Sequence, residues 1–201
     1  MVDLLDVPDG YDYHAPAIEV PARVVWLNRL FRLVLALVVL TVAWLIHGRP
    51  PLTVVALGIA TIHEHNQALY ILIVISSLGI FPIHELVHAV AGYLRKLKVR
   101  IGWDWTYLAP FVTTYGRPQT RSETALVAGL PFATLTPLLV LIVVFASTPW
   151  AAVFIPPALI NILGSGPDLN TLWQMHSLPD GALLQNDRDE NTAYYVPSHS
   201  R

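Results

Sequence analysis

The sequence predicts an all-α membrane protein with about four transmembrane helices and a small β-hairpin insert between the second and third. Hydrophobic residues make up 54% of the chain and charged residues only 13%, which is more apolar than an ordinary soluble domain. Four runs are long enough and poor enough in charge to cross a bilayer as helices. Between the second and third runs, apolar and polar residues alternate, which predicts strands.

Three parts of the chain differ in composition. Residues 1–22 are acidic, with scattered Pro and Gly and no pattern of a signal peptide, and we expect a loose polar arm. Residues 23–176 contain the four apolar runs and form the expected integral membrane domain. Residues 177–201 are polar and predict a disordered tail. In the first span, at about 24–46, Arg29 and Arg32 are expected to extend to the membrane interface.

Two features precede the second span. The apolar stretch 52–62 makes only about 16 Å of helix, which is too short to cross the bilayer, so we expect it to be interfacial or re-entrant. His63 and His65 flank a glutamate, but residues two apart do not share a helix face, so this triplet does not predict a metal site. The second span then covers about 67–94 and ends in a basic cluster that begins at Arg95.

The second half of this span contains the motif H-E-x-x-H, formed by His84, Glu85 and His88. Positions four apart lie one turn above each other on a helix, so the two imidazoles can bind one metal ion. Glu85 is placed to deprotonate a water molecule at that ion, which is the arrangement of a zinc metalloprotease. The alternative is a structural polar cluster at a helix interface. Because the chain has no cysteine, any metal ligands must be nitrogen or oxygen atoms.

A period-two pattern follows the second span. Apolar side chains alternate with polar ones over 99–107, a turn is expected at Ala109-Pro110, and 111–115 predicts a second strand. The free edge of this hairpin could pair with an extended substrate segment beside the active site. The alternative is an aromatic loop anchored at the membrane interface by Trp103 and Trp105.

The third and fourth spans complete the membrane domain. Thr120-Arg121-Ser122-Glu123 is a capping box that opens the third span, which covers about 125–146. The fourth covers about 150–172, and we expect an interruption at Pro156-Pro157. This span also contains Asn161 and the segment Gly164 to Asp168.

Together, the H-E-x-x-H motif in a span, the β-like insert, the Ala128-Gly129-Leu130-Pro131 segment and the pair Asn161 and Asp168 resemble the site-2 protease group of intramembrane zinc metalloproteases. The chain's size and its Gly164 to Asp168 segment more closely resemble a small membrane family described as putative zincin peptidases. The resemblance covers about 67–176. It implies Zn²⁺ as the cofactor.

The resemblance also implies roles for particular residues. His84, His88 and Asp168 would bind zinc, Glu85 would be the catalytic base, and Asn161 would orient the substrate or stabilise an oxyanion. Helix length is compatible with this ligand set, because His84 lies about 25 Å from the start of its span and Asp168 about 27 Å from the start of its own. His176 would lie about 12 Å deeper. Alternatively, Asp168 caps a helix that restarts after Pro167.

We therefore expect a multi-pass protein of the cell membrane that hydrolyses peptide bonds in or near the bilayer. The bilayer itself is the expected partner; the protein or peptide substrate is not indicated, and no basic patch points to nucleic acid. Basic residues lie at the start of the first span and after the end of the second, and such residues favour the cytoplasmic side of a membrane. Both termini and the active-site mouth are therefore predicted to be cytoplasmic. The alternatives are a non-proteolytic metal-binding scaffold or regulator and, less favoured, a metal-ion carrier.

Overall fold

The computed structural model describes residues 7–14, 19–48, 67–105, 108–186 and 192–198, and this part of the chain is mostly helical. The helices are α1 (Ala22–His47), α2 (Gln67–Leu94), α3 (Arg121–Phe145), α4 (Thr148–Gly164) and α5 (Gly166–Ser177). The strands are β1 (Tyr11–His14), β2 (Lys98–Asp104), β3 (Ala109–Tyr115), β4 (Gln119–Thr120), β5 (Leu183–Asn186) and β6 (Thr192–Pro197). The predicted fold class is confirmed. The predictions for 52–62 and for the His63 triplet lie outside the described residues.

Four helical segments of the described chain are long and apolar enough to cross a membrane: α1, α2, α3 and the combined run of α4 and α5. Only 17% of the most apolar window of α1 is buried, and only 11% of that of α2. Large apolar side chains are therefore left facing outwards, as Leu45 and Leu78 are, at 75% and 65% exposure. These features are compatible with a multi-pass membrane protein.

The chain forms two compact units. The helical unit comprises Trp26–His84 and Pro131–Pro167. One of its core clusters joins Ala36 and Val39 of α1 to Ile162 of α4. A second cluster joins Ala43, Val143 and Ile155. The small residues of α1 let its backbone approach the neighbouring helices closely, as is usual for helices that pack within a bilayer.

The mixed unit comprises Met1–Val25, Glu85–Leu130 and Asp168–Arg201. Its hairpin pairs β2 with β3 in antiparallel register, with Val99 opposite Thr114 and Asp104 opposite Ala109. The predicted hairpin is confirmed, but its turn is not at Ala109-Pro110. Strand β2 ends at Asp104, and β3 begins at Ala109. Pro110 therefore lies inside β3, where an edge position tolerates a residue without an N–H.

Strands from both ends of the chain, together with β4 from its middle, form a second sheet in the order β1-β6-β5-β4. The disorder predicted for 177–201 is therefore wrong over β5 and β6, and so is the loose conformation predicted for the part of 1–22 that forms β1. Tyr195 is 1% exposed, and β1 pairs with β6 along Tyr11–His14. The local composition missed this sheet because each strand depends on a partner distant in sequence. The predicted three-part division of the chain remains a prediction.

The capping box at the start of α3 is present as predicted. The Thr120 N–H donates to Glu123 Oε2 at 3.0 Å, and the Glu123 N–H donates to Thr120 Oγ1 at 3.3 Å. Arg117 adds a bidentate ion pair with Glu123, at 2.7 and 3.0 Å, which raises the pKa of Arg117. These contacts fix the chain between β3 and α3.

The fourth span is interrupted at Ser165, and not at Pro156-Pro157 as predicted. Helix α4 continues through both prolines, and Pro157 is fully buried. The Ser165 N–H and Oγ both donate to the Asn161 carbonyl, at 3.1 and 2.7 Å, and end the helix. Pro167 then lies in the first turn of α5, where its missing N–H costs nothing. The break therefore falls directly before Asp168.

Candidate metal centre

His84, Glu85 and His88 form a group on α2 that could hold a metal ion. One potential ligand atom from each residue lies within 4.8 Å of the others. This clustering follows from the sequence, because helical periodicity places the two histidines one turn apart. Helix α2 continues through Pro82, just before the motif, and contains all three residues.

His88 is buried, at 8% exposure, and both of its ring nitrogens face acceptors. Its Nδ1–H donates to the Val127 carbonyl of α3 at 2.7 Å. Its Nε2 lies 3.3 Å from Oδ1 of Asp168 in the first turn of α5. In a neutral imidazole, the bond from Nδ1–H leaves a lone pair on Nε2, so this nitrogen and the carboxylate can both bind one cation.

The separation of these two atoms fits zinc. With Zn–N and Zn–O distances near 2.1 Å, two ligands of one tetrahedral zinc ion are about 3.4 Å apart. The observed separation of His88 Nε2 and Asp168 Oδ1 is 3.3 Å. The hydrogen bond from His88 to Val127 is also the kind of outer contact that fixes a ligating imidazole in orientation and tautomer. His88 and Asp168 therefore offer one nitrogen and one oxygen donor of the kinds that zinc binds.

His84 is held in the same tautomer by a different partner. Its Nδ1–H donates to Asn161 Oδ1 at 2.9 Å, and Asn161 Nδ2 donates to Thr136 Oγ1 at 2.9 Å. Asn161 is 3% exposed. This hydrogen bond orients the imidazole of His84 and leaves Nε2 as the nitrogen that could bind a metal ion. The predicted contact of Asn161 with substrate remains a prediction.

The mixed unit contains a cavity of about 320 Å³ beside the candidate metal ligands. Glu85, His88 and Asp168 contribute to its wall. The remaining wall is formed by residues of β3, β4, α3, α5, β5 and β6: Phe111, Val112, Thr113, Thr114, Gln119, Thr124, Val127, Ala128, Thr171, Asn186 and Thr192. The cavity can hold a segment of a few residues beside the candidate metal ligands.

Several supporting groups were not predicted from the sequence. Gln119 Nε2 donates to the Thr114 carbonyl at 3.3 Å, and Asn186 Nδ2 donates to the same oxygen at 3.2 Å. Neither amide belongs to a motif, and the carbonyl of Val127 has no side-chain signature at all. His176, the rejected alternative ligand, is exposed, and its carbonyl accepts a hydrogen bond from Arg121.

The family described as "Putative zincin peptidase" matches residues 77–183, just over half of the chain. The chain belongs to this family. Membership implies zinc as the cofactor, and the His84–Glu85–His88 group could hold it. The putative zincin peptidase family and this cluster together support a zinc metallopeptidase. Comparisons with curated proteins and with solved structures find no match for the chain.

Proposed function

We propose that this protein is a membrane-embedded zinc metallopeptidase whose ion is held by His84, His88 and Asp168. The observation that carries the proposal is the approach of Asp168 Oδ1 to His88 Nε2 at 3.3 Å, next to the His84 turn of the same helix. When bound, zinc supplies a Lewis acid that polarises the scissile carbonyl and makes the attacking water more acidic. The ligand set and the membrane-embedded position resemble site-2 proteases.

Glu85 is proposed as the general base. Its carboxylate lines the same cavity as His88 and Asp168, so it can reach a water molecule that attacks a bound peptide. It takes the proton of this water and then donates that proton to the leaving amine. Asn161, which hydrogen-bonds to His84, is proposed to act through that histidine and not on the substrate directly.

The edge of β3 is proposed to bind the substrate as an extended strand. Among the described residues, β3 pairs with β2 alone. In an antiparallel pair, alternate residues direct their N–H and C=O away from the partner. The Thr114 carbonyl points away from β2, as its bonds to Gln119 and Asn186 show, and by alternation the backbone groups of Val112 do so too. Val112 lines the cavity and can therefore pair with one substrate residue.

A substitution at Val112 tests this pairing. Val112→Pro removes the outward N–H and leaves the bonds of Thr113 to β2 in place. The substrate carbonyl that would accept from this N–H is then left without a partner, so we expect KM to rise about tenfold. Val112→Ala keeps the N–H and is the matched control. The assay uses a peptide whose cleavage depends on Glu85. Equal KM values for the two variants would exclude β3 as the docking edge.

The protein is proposed to lie in the cell membrane with both termini and the hairpin on the cytoplasmic side. The basic cluster that starts at Arg95 and the arginines at the start of α1 support this orientation. Trp103 and Trp105 are 48% and 79% exposed, and such side chains favour the membrane–water interface. The hairpin would then combine substrate binding with an interfacial location.

Cysteine labelling tests this orientation, because the chain has no native cysteine. We expect Ser122→Cys and Ser198→Cys to be protected from an impermeant thiol reagent in intact cells and to react after permeabilisation. Ser147 lies exposed at the opposite end of α3 and makes no capping bond, so Ser147→Cys is the control expected to react from outside. Labelling of Ser122→Cys in intact cells would contradict the orientation.

A further inference from the structure

Two side chains of α1 contact the break between α4 and α5. Arg32 donates from Nη1 to the Leu163 carbonyl, and Asn28 donates from Nδ2 to the Gly166 carbonyl at 3.1 Å. Asn28 and Arg32 lie one turn apart and project from the same face of α1. The expected extension of Arg32 to the membrane interface remains a prediction. Helix α1 thus binds the chain on both sides of Ser165.

The guanidinium group of Arg32 lies directly against Gly166. A Cβ atom at Gly166 would lie 2.8 Å from Cζ, Nη1 and Nη2 of Arg32, which is closer than side chains allow. Gly164, on the other side of the break, has nothing within 4 Å of an added Cβ. A side chain at 166 would therefore displace the guanidinium group of Arg32, whereas a side chain at 164 would meet nothing.

The contact from Arg32 satisfies a group that the end of α4 leaves open. The last carbonyls of α4 have no partners within the helix, and in apolar surroundings each one without a partner is costly. Arg32 supplies both a donor and a positive charge at the negative end of the α4 dipole. Asn28 adds a hydrogen bond to the Gly166 carbonyl, at the start of α5. The break is therefore held in one conformation from outside the helix pair.

The break determines where α5 starts, and Asp168 lies in the first turn of α5. We propose that Asn28 and Arg32 are positioning residues for the third zinc ligand, acting on Asp168 through the backbone of Leu163 and Gly166. This inference rests on the proposed role of Asp168 as a ligand. It gives α1 a part in the metal site although α1 supplies no ligand and lies outside the family match at 77–183.

Zinc affinity, measured by chelator competition on the purified full chain in detergent, tests this inference. Arg32→Gln removes the charge and the flat donor group, and Gly166→Ala displaces the guanidinium group. We expect each to weaken zinc binding at least tenfold, as loss of outer contacts typically does. Gly164→Ala is the matched control and should keep the wild-type affinity. Wild-type affinity in both Arg32→Gln and Gly166→Ala would overturn the inference.

The same substitution in the Asp168→Ala protein distinguishes a positioning role of Arg32 from a general effect on stability. If Arg32 acts through Asp168, Arg32→Gln should cause no further loss of zinc affinity in the Asp168→Ala protein, whereas an equal loss in both backgrounds would show a merely structural role. Should Arg32→Gln fail to fold, Gly166→Ala is tested in the same two backgrounds. A wild-type protein without zinc would instead overturn the proposed function itself, so the two failures are distinguishable.

Discussion

Glu85→Gln is expected to keep its zinc and to lose peptide cleavage by about 10²- to 10⁴-fold, the usual effect of removing a general base. The amide retains the size and reach of the carboxylate but cannot accept the proton of the attacking water. Because Glu85 lines the cavity without belonging to the proposed ligand set, the metal content should not change. Zinc content of the purified proteins and membrane proteomes of cells carrying each form measure the two effects.

The control for this comparison is another carboxylate-to-amide change. Asp180 is fully exposed and pairs with Arg121, so Asp180→Asn should leave both zinc content and cleavage unchanged. If no product depends on Glu85 while deletion of the whole protein still has a phenotype, a scaffold or regulator that keeps its metal site explains the chain better than a peptidase.

Helix periodicity and capping made much of the fold predictable. The second span was predicted at 67–94, and α2 covers the same residues. The reciprocal bonds of Thr120 and Glu123 follow from the spacing of a capping box. The clustering of His84 and His88 needs only one helical turn. Each of these features depends on residues close in sequence, which is why local patterns reveal them.

Features that depend on distant partners were not predictable in this way. Strand β1 pairs with β6, which lies nearly the whole chain away, and no pattern within either short segment identifies its partner. The interruption of the fourth span was assigned to the prolines at 156 and 157. It lies at Ser165, close to the helix restart after Pro167 that the sequence left open as the alternative role of Asp168. The contacts of α1 on both sides of Ser165 come from distant residues and are visible only in the structure.

The same contrast between local and distant features holds for the candidate site. The H-E-x-x-H motif identified His84, Glu85 and His88, but the partners of the two Nδ1 atoms, Asn161 and the Val127 carbonyl, required the structure. A backbone carbonyl has no sequence signature. Asn161 was identified by a resemblance that gave it a different role, and its hydrogen bonds to His84 and Thr136 favour positioning of the imidazole.

Removal of any proposed ligand is the other change with a large expected effect. His84→Ala and His88→Ala should each lose zinc, because no other described group replaces an imidazole at that turn of α2. Asp168→Ala should weaken zinc binding at least tenfold, since its carboxylate both completes the donor set and balances the charge of the ion. His176 is exposed on α5 and is the matched control.

Zinc content and affinity of the purified wild-type protein, Asp168→Ala and His176→Ala test the central claim most directly. The account predicts about one zinc per chain in the wild type, the same value in His176→Ala, and at least a tenfold weaker affinity in Asp168→Ala with the fold retained. If Asp168 merely caps α5, its loss would lower thermal stability and leave zinc binding intact. Full zinc retention in Asp168→Ala, with loss in His176→Ala, would contradict the proposed centre.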